Sequence, residues 1–221
     1  MNERFDLGLY VITDAGLSRG QSHLEVIRAA IAGGVTVVQY REKEATTRRM
    51  VEEAKELREL CREAGVPFIV NDRLDVALAV GADGVHVGQF DMPASTARRL
   101  LGPDKLLGVS ASTVAEARQA KADGADYISA SPVFSTPTKP DAPQPTGVEG
   151  LRAIVKTVGR PVVAIGGVKA HNAAQLIQAG AAGVAVVSAI VAAEDVEAAA
   201  RELRDVVEAA RGGGLTCLSP I

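Results

Sequence analysis

The residues able to do chemistry come in short clusters. Arg41 and Lys43 flank Glu42 in the run QYREK (39–43), and Lys139 stands in a polar, proline-stiffened stretch, SPVFSTPTKPDAPQPTG (131–147), among Thr136, Thr138 and Asp141. Asn71 and Asp72 are adjacent, and Asp91 follows in QFDMP (89–93). Three cations, a neutral amide and two carboxylates make a set with one chemical sense. Hard divalent cations take oxygen ligands, usually one or two carboxylates completed by substrate phosphates and water. The set therefore predicts a Mg²⁺–diphosphate site, with Asp72 and Asp91 as metal ligands and Arg41, Lys43 and Lys139 as counter-charges. Gly166-Gly167 and Val187-Ser188 signal a second anion site. Glycine lets backbone N–H groups approach an anion closely, and a helix N-terminus adds partial positive charge.

Each cluster also has a plainer reading. QYREK reads as a solvated charge run. Asn71-Asp72 and Asp91 read as helix N-caps, which Asn and Asp favour. Gly-Gly reads as a tight turn, His86 as a satisfied buried histidine, and the stretch 131–147 as a linker between domains. The fold decides, by bringing these clusters to one place or scattering them.

Eight short β-branched runs recur, at 8–13, 35–40, 67–71, 84–87, 106–110, 126–130, 161–165 and 183–188. Most are nearly continuous apolar runs, as expected of parallel strands covered on both faces. Amphipathic stretches rich in Ala, Glu and Arg lie between them, clearest in TTRRMVEEAKELRELCREAG, TVAEARQAKADG and VEGLRAIVKTVG, with another starting near Asn172. Glycines close several of them, at 32–34, 64–65, 80–82, 122–125 and 179–181, the usual C-terminal cap signal. Eight alternations predict an α/β fold, a (β/α)8 TIM barrel forming a single domain, a fold that typically needs about 250 residues. The rival is a doubly wound open sheet, but no G-x-G-x-x-G follows the first run. The barrel is expected to occupy 1–211. The glycine-rich stretch 212–221 is expected to be a flexible tail.

In such barrels the working face lies at the C-terminal ends of the strands. Every cluster above follows a strand, so all converge on one rim, joined by Ser110 and Ser112 at the end of the fifth. The stretch 131–147 falls inside the sixth strand–helix unit, which makes it a functional loop rather than a linker.

Composition narrows the classes. The chain has 221 residues, a formal charge of -3, and aromatic content of only 3% with no Trp. Neither a basic footprint nor an aromatic platform for nucleic acid is present. Cys61 and Cys217 form no disulfide framework, which fits a reducing compartment. The first residues lack a basic segment followed by an apolar one, and the most apolar stretch, 181–193, is too short to span a bilayer. A cytoplasmic protein without membrane or nucleic-acid partners is expected; self-association into a homo-oligomer is left open. No Ser-His-Asp or Cys-His arrangement indicates covalent catalysis.

These residues together resemble the thiamine-phosphate synthase family. The matching stretches run from LYVITD (9–14) through VVQYREK (37–43), VNDR (70–73), GVHVGQFDMP (84–93), GVSAST (108–113), FSTPTKPDA (134–142) and VAIGGV (163–168) to VVSAI (186–190). QYREK and TPTK at this separation are the specific part, and IGG is common to many phosphate-binding barrels. YISASPVF departs from the more glycine-rich stretch expected before the proline. The resemblance implies coupling of 4-amino-2-methyl-5-hydroxymethylpyrimidine diphosphate with a carboxylated thiazole phosphate, giving thiamine phosphate, diphosphate and CO₂. It implies that Gln39, Tyr40, Arg41, Glu42, Lys43, Asn71 and Lys139 hold the pyrimidine diphosphate, with Ser110 facing the pyrimidine. Thr136, Pro137, Thr138, Gly167, Val187 and Ser188 would hold the thiazole phosphate, and Asp72 and Asp91 the Mg²⁺. Arg41, Lys43, Lys139 and Ser110 would act in catalysis. Two other classes are weighed against this: a thiazole tautomerase-like isomerase on the same barrel, and a regulatory sensor of a thiazole or thiamine phosphate. Neither needs the carboxylate pair.

Overall fold

The structure is a computed structural model and describes residues 5–138 and 143–212. Strand and helix alternate from the start: β1 (Leu9–Ile12), α1 (His23–Ala32), β2 (Val37–Tyr40), α2 (Thr47–Ala64), β3 (Phe68–Asn71), α3 (Leu74–Val80), β4 (Gly84–Val87) and α4 (Ala94–Leu101). The second half follows with β5 (Leu106–Ala111), α5 (Val114–Ala122), β6 (Tyr127–Ala130), α6 (Gly147–Val158), β7 (Val162–Ile165), α7 (Ala170–Gln178), β8 (Gly183–Val186), α8 (Ser188–Val191) and α9 (Val196–Gly212). The strands close in sequence order, and β1 pairs with β8 through Leu9↔Val184 and Tyr10↔Ala185. Each apolar run seen in the sequence marks one strand of the barrel, with β5 running one residue past its run to Ala111.

Strand pleating sorts the side chains, since successive residues point to opposite faces. On β1, Leu9 and Val11 face outward into the layer between barrel and helices, while Tyr10 and Ile12 join Val37, Ile69, Tyr127, Val163 and Ala185 inside. The helices present matching stripes. On α2 the stripe is Met50, Ala54, Leu57 and Cys61, on α9 Val196, Ala200, Leu203 and Val207. The 4-3-4 spacing keeps each stripe on one helix face. Thr46 caps α2 by accepting from the Arg49 amide, and Gly65 ends it in the left-handed conformation. Truncating a fully buried side chain such as Leu57 is expected to cost about 2–5 kcal/mol.

The last helix, α9, had no counterpart in the sequence reading. It packs against α7 and α1. Arg204 and Arg211 pair with Asp6 at 2.9 and 2.8 Å, and Arg211 also donates to the Ala182 carbonyl. These contacts tie the chain's return to the β1–β8 seam. Helix α7 begins at Ala170, ahead of Asn172, whose side chain accepts from the Lys169 amide and donates to the Gly167 carbonyl. Of the expected tail, residues 213–221 lie outside the described residues; Gly212 closes α9.

Candidate active site

The C-terminal ends of the strands enclose a cavity of ≈ 610 Å³. Its walls are built strand by strand. After β2 the pleat continues past the strand, so Gln39, Arg41 and Lys43 line the cavity. Thr13 pins this segment, its amide N–H donating to the Gln39 carbonyl while its hydroxyl accepts from the Arg41 amide at 2.8 Å and donates to the Arg41 carbonyl at 3.0 Å. The Arg41 guanidinium is held by Asp14 at 3.0 Å. Lys43 reaches across to Asp72, 2.5 Å away.

The same pleat corrects part of the sequence expectation. Tyr40 and Glu42 do not line the cavity. Tyr40 is buried behind β2, its hydroxyl donating to Glu53 at 2.8 Å and its ring edge-on to His23. Glu42 accepts from the backbone of Glu44 and Ala45 and lies 3.6 Å from His23. Burial opposes the charge on Glu42, but these backbone donors and His23 outweigh it and hold the carboxyl below its usual range. Gln39 to Lys43 act as alternate residues, three inward and two outward.

At the end of β3, Asn71 and Asp72 line the cavity. Asp72 has φ 59, a left-handed backbone that non-glycine residues seldom adopt, Asn and Asp more often than others. Its amide donates to the His86 carbonyl at 2.8 Å, which locks the turn. Asp91, after β4, accepts from the Gly88 amide at 2.7 Å. Burial and the neighbouring Asp72 carboxylate both push the Asp91 carboxyl above its ordinary value, against the pull of the Gly88 amide and Lys43. Two carboxylates crowded together beside a cation make a hard oxygen donor set, and this fits a divalent cation such as Mg²⁺.

Ser110 on β5 faces the cavity, and Gln89 donates to its carbonyl at 2.7 Å. The β6–α6 loop supplies Thr136, Pro137 and Thr138. Its neck is closed by bonds from Thr146 to Pro132 and from Gly147 to Val133, and it docks on β7 through Val133 to Ile165 and Phe134 to Gly166. Gly167 has φ 63, and a Cβ there would lie 2.6 Å from the Ser135 carbonyl oxygen. Both the backbone angle and the close approach require glycine. Val187 and Ser188 complete the wall after β8. Lys139 lies outside the described residues.

The structure thus brings Gln39, Arg41, Lys43, Asn71, Asp72, Asp91, Ser110, Thr136, Pro137, Thr138, Gly167, Val187 and Ser188 to one cavity. Sequence reasoning missed Tyr10 and Tyr127, which line its floor, and set His86 aside as a buried histidine. Inward parity was the available signal: Tyr10 stands two residues before the inward Ile12.

A sequence profile described as thiamine monophosphate synthase matches residues 9–190. A thiamine-phosphate synthase of Chloroflexus aurantiacus is 66% identical over 202 residues, covering 91% of this chain and 93% of its own. One from Moorella thermoacetica is 57% identical, covering 92% of this chain and 97% of its own. Among solved structures, a thiamine phosphate pyrophosphorylase from Pyrococcus furiosus superposes with a TM-score of 0.88 at 47% identity, over 95% of this chain and 99% of that one.

Proposed function

The chain belongs to the thiamine monophosphate synthase family, and from that premise we propose a division of labour within its cavity. Its activity is that of a thiamine-phosphate synthase, a transferase. In the proposed reaction a pyrimidine methylene loses diphosphate and is captured by the nitrogen of a thiazole phosphate, whose carboxylate, where present, leaves as CO₂.

Asp72 and Asp91 would hold Mg²⁺, which when bound neutralises the diphosphate and makes it a better leaving group. Arg41 and Lys43 take the remaining phosphate charge, Arg41 pre-aimed by Asp14 and Lys43 by Asp72. Charges fixed in place before reaction cost no reorganisation as the leaving group develops its charge. Asn71 adds a neutral donor beside them, and the resemblance adds Lys139. Gln39 and Ser110 contact the pyrimidine, which is electron-rich and supports positive charge at its methylene as diphosphate departs. Thr136 and Thr138 donate hydroxyls to the thiazole phosphate, with Pro137 fixing their turn. Gly167, Val187 and Ser188 present backbone and hydroxyl donors to the same group. A thiazole held on this side has its nitrogen directed at the methylene, and the loop over it limits water as a competing nucleophile.

The observation that carries this reading is the pairing of Lys43 with Asp72 beside Asp91, on the same cavity as the Gly167 turn. Among the described residues no helix is long and apolar enough to cross a membrane; a cytoplasmic location is proposed with the function. Product analysis tests it. The protein mixed with both substrates and Mg²⁺ should form thiamine phosphate and diphosphate, and EDTA should stop the reaction. Absence of product with both substrates and metal present would sink the reading.

A further inference from the structure

Five side chains form one hydrogen-bonded row across the cavity floor, each from a different strand. Gln39 Nε2 donates to the Tyr10 hydroxyl at 2.7 Å. The Tyr10 and Tyr127 hydroxyls are 2.9 Å apart, and Tyr127 lies 3.1 Å from His86 Nδ1. His86 Nε2 lies 2.9 Å from Ser110 Oγ.

One donor order runs consistently along the whole row when each hydroxyl gives its proton to the next member, and it starts from the first. An amide nitrogen only donates. Tyr10 therefore accepts from Gln39 and has one proton to give, and along the row that proton goes to Tyr127. Tyr127 gives its own proton to His86 Nδ1, which is then the bare nitrogen. In a neutral imidazole the proton then sits on Nε2 and is donated to Ser110 Oγ. The Ser110 proton is left for the cavity, and so is the Gln39 carbonyl oxygen. Burial keeps both tyrosines protonated, raising them above their ordinary range, so each has a proton to pass on.

The row is built rather than incidental. Gly108 on β5 lies between Tyr127 and His86, and a Cβ there would come within 2.2 Å of Tyr127 Cζ and 2.4 Å of His86 Nδ1. Only glycine at this position lets the two side chains meet.

We propose that Tyr10, Tyr127 and His86 are positioning residues that fix the Nε2–H tautomer of His86, and so present Ser110 as a donor and Gln39 as an acceptor to the pyrimidine. The inference rests on the proposed function for its ligand. An aminopyrimidine offers the complementary pattern, an exocyclic amine that donates and ring nitrogens that accept. An oxopyrimidine inverts it, with a carbonyl that accepts and a ring N–H that donates. The row thus selects amino over oxo substrates, because a mismatched partner leaves buried polar groups unpaired.

The test has a spectroscopic and a kinetic arm. In the free, ¹⁵N-histidine-labelled protein, with the His86 signals assigned by their loss in His86→Gln, Nε2 should be protonated and Nδ1 bare. An Nδ1–H tautomer would overturn the proposal, since it reverses the whole row. This reading needs no turnover, so a protein with the expected tautomer but no thiamine phosphate product would refute the function and leave the row standing. Kinetically, the amino pyrimidine diphosphate should be preferred over its oxo analogue by at least about 100-fold. Tyr127→Phe, which removes one hydroxyl and keeps the ring, should cut that preference about 10-fold. His86→Gln, which keeps a distal donor, should retain more of it than His86→Asn. Discrimination unchanged in Tyr127→Phe would also overturn the proposal.

Discussion

The Lys43 ammonium stands 2.5 Å from Asp72 Oδ2, joining the loop after β2 to the turn after β3. A cation proposed to meet the leaving group and a carboxylate proposed to ligate its metal are held as one unit, and Asp91 is the second carboxylate beside it. Asp72→Asn and Asp91→Asn should each lower kcat by about 100-fold or more, with circular dichroism unchanged. Activity measured across a magnesium titration checks this; near-normal turnover in both variants would remove the metal assignment.

Among the described residues Asp14 does not line the cavity and meets it through Arg41. Asp14→Asn should leave Arg41 charged but poorly aimed, raising KM for the pyrimidine diphosphate by about 5–10-fold while KM for the thiazole phosphate moves little. Initial rates with each substrate varied in turn separate the two. Equal effects on both would count against placing Arg41 on the diphosphate.

The glycine turn after β7 should answer to the other substrate. In Gly167→Ala the new methyl meets the Ser135 carbonyl oxygen and must hold φ 63. KM for the thiazole phosphate should rise, with KM for the pyrimidine diphosphate less affected. Thr136→Val should act in the same direction, by about 10-fold, through loss of one charge-assisted bond.

Cys61 is buried behind β2 and β3, and burial, with a smaller push from Asp83, raises its thiol to about 12. Almost no thiolate exists at pH 8, so iodoacetamide should label Cys61 at least about 100-fold more slowly in the native protein than in denaturant. Peptide mass spectrometry reads this residue separately from Cys217. Fast native labelling would show the α2 stripe to be open.

Burial opposes the charge on Asp6, but Arg211, Arg204 and the Gly8 amide outweigh it and lower its pKa. A carboxyl lowered in the folded state adds stability above its unfolded value of about 3.9, and that contribution is lost as pH falls through the folded value. Asp6→Asn should destabilise the protein at neutral pH, by less than about 1 kcal/mol because the pair is partly exposed. The gap in Tm between variant and parent should close in strong acid. A gap independent of pH would assign the effect to packing.

The barrel was legible because its strands are buried on both sides and read as apolar runs between glycine-closed helices. The rim residues were legible because each follows such a run. Tyr40 and Glu42 fall outside the cavity lining for a specific reason: QYREK is contiguous in sequence, but the pleat of β2 continues through it and turns alternate side chains away. Tyr10 and Tyr127 were missed for the converse reason. Each sits within a strand, where an aromatic reads as core, and only the closed barrel shows that the interior of those two strands is the cavity floor. Helix α9 follows the eighth strand, and its apolar stripe of Val196, Ala200, Leu203 and Val207 is interspersed with charged residues rather than drawn as a run.

The clasp of Asp6 by Arg204 and Arg211 has a topological consequence. It draws the first strand and the last helix together at the base of the barrel, with Arg211 reaching the Ala182 carbonyl just before β8, while the cavity opens at the opposite end. In space the polypeptide from Asp6 to Arg211 is nearly a ring. Linking those ends and cutting instead at the exposed turn between α2 and β3, near Gly65, gives a circular permutant with every cavity-lining segment still continuous. The order in which the eight units are strung is separable from the chemistry they surround.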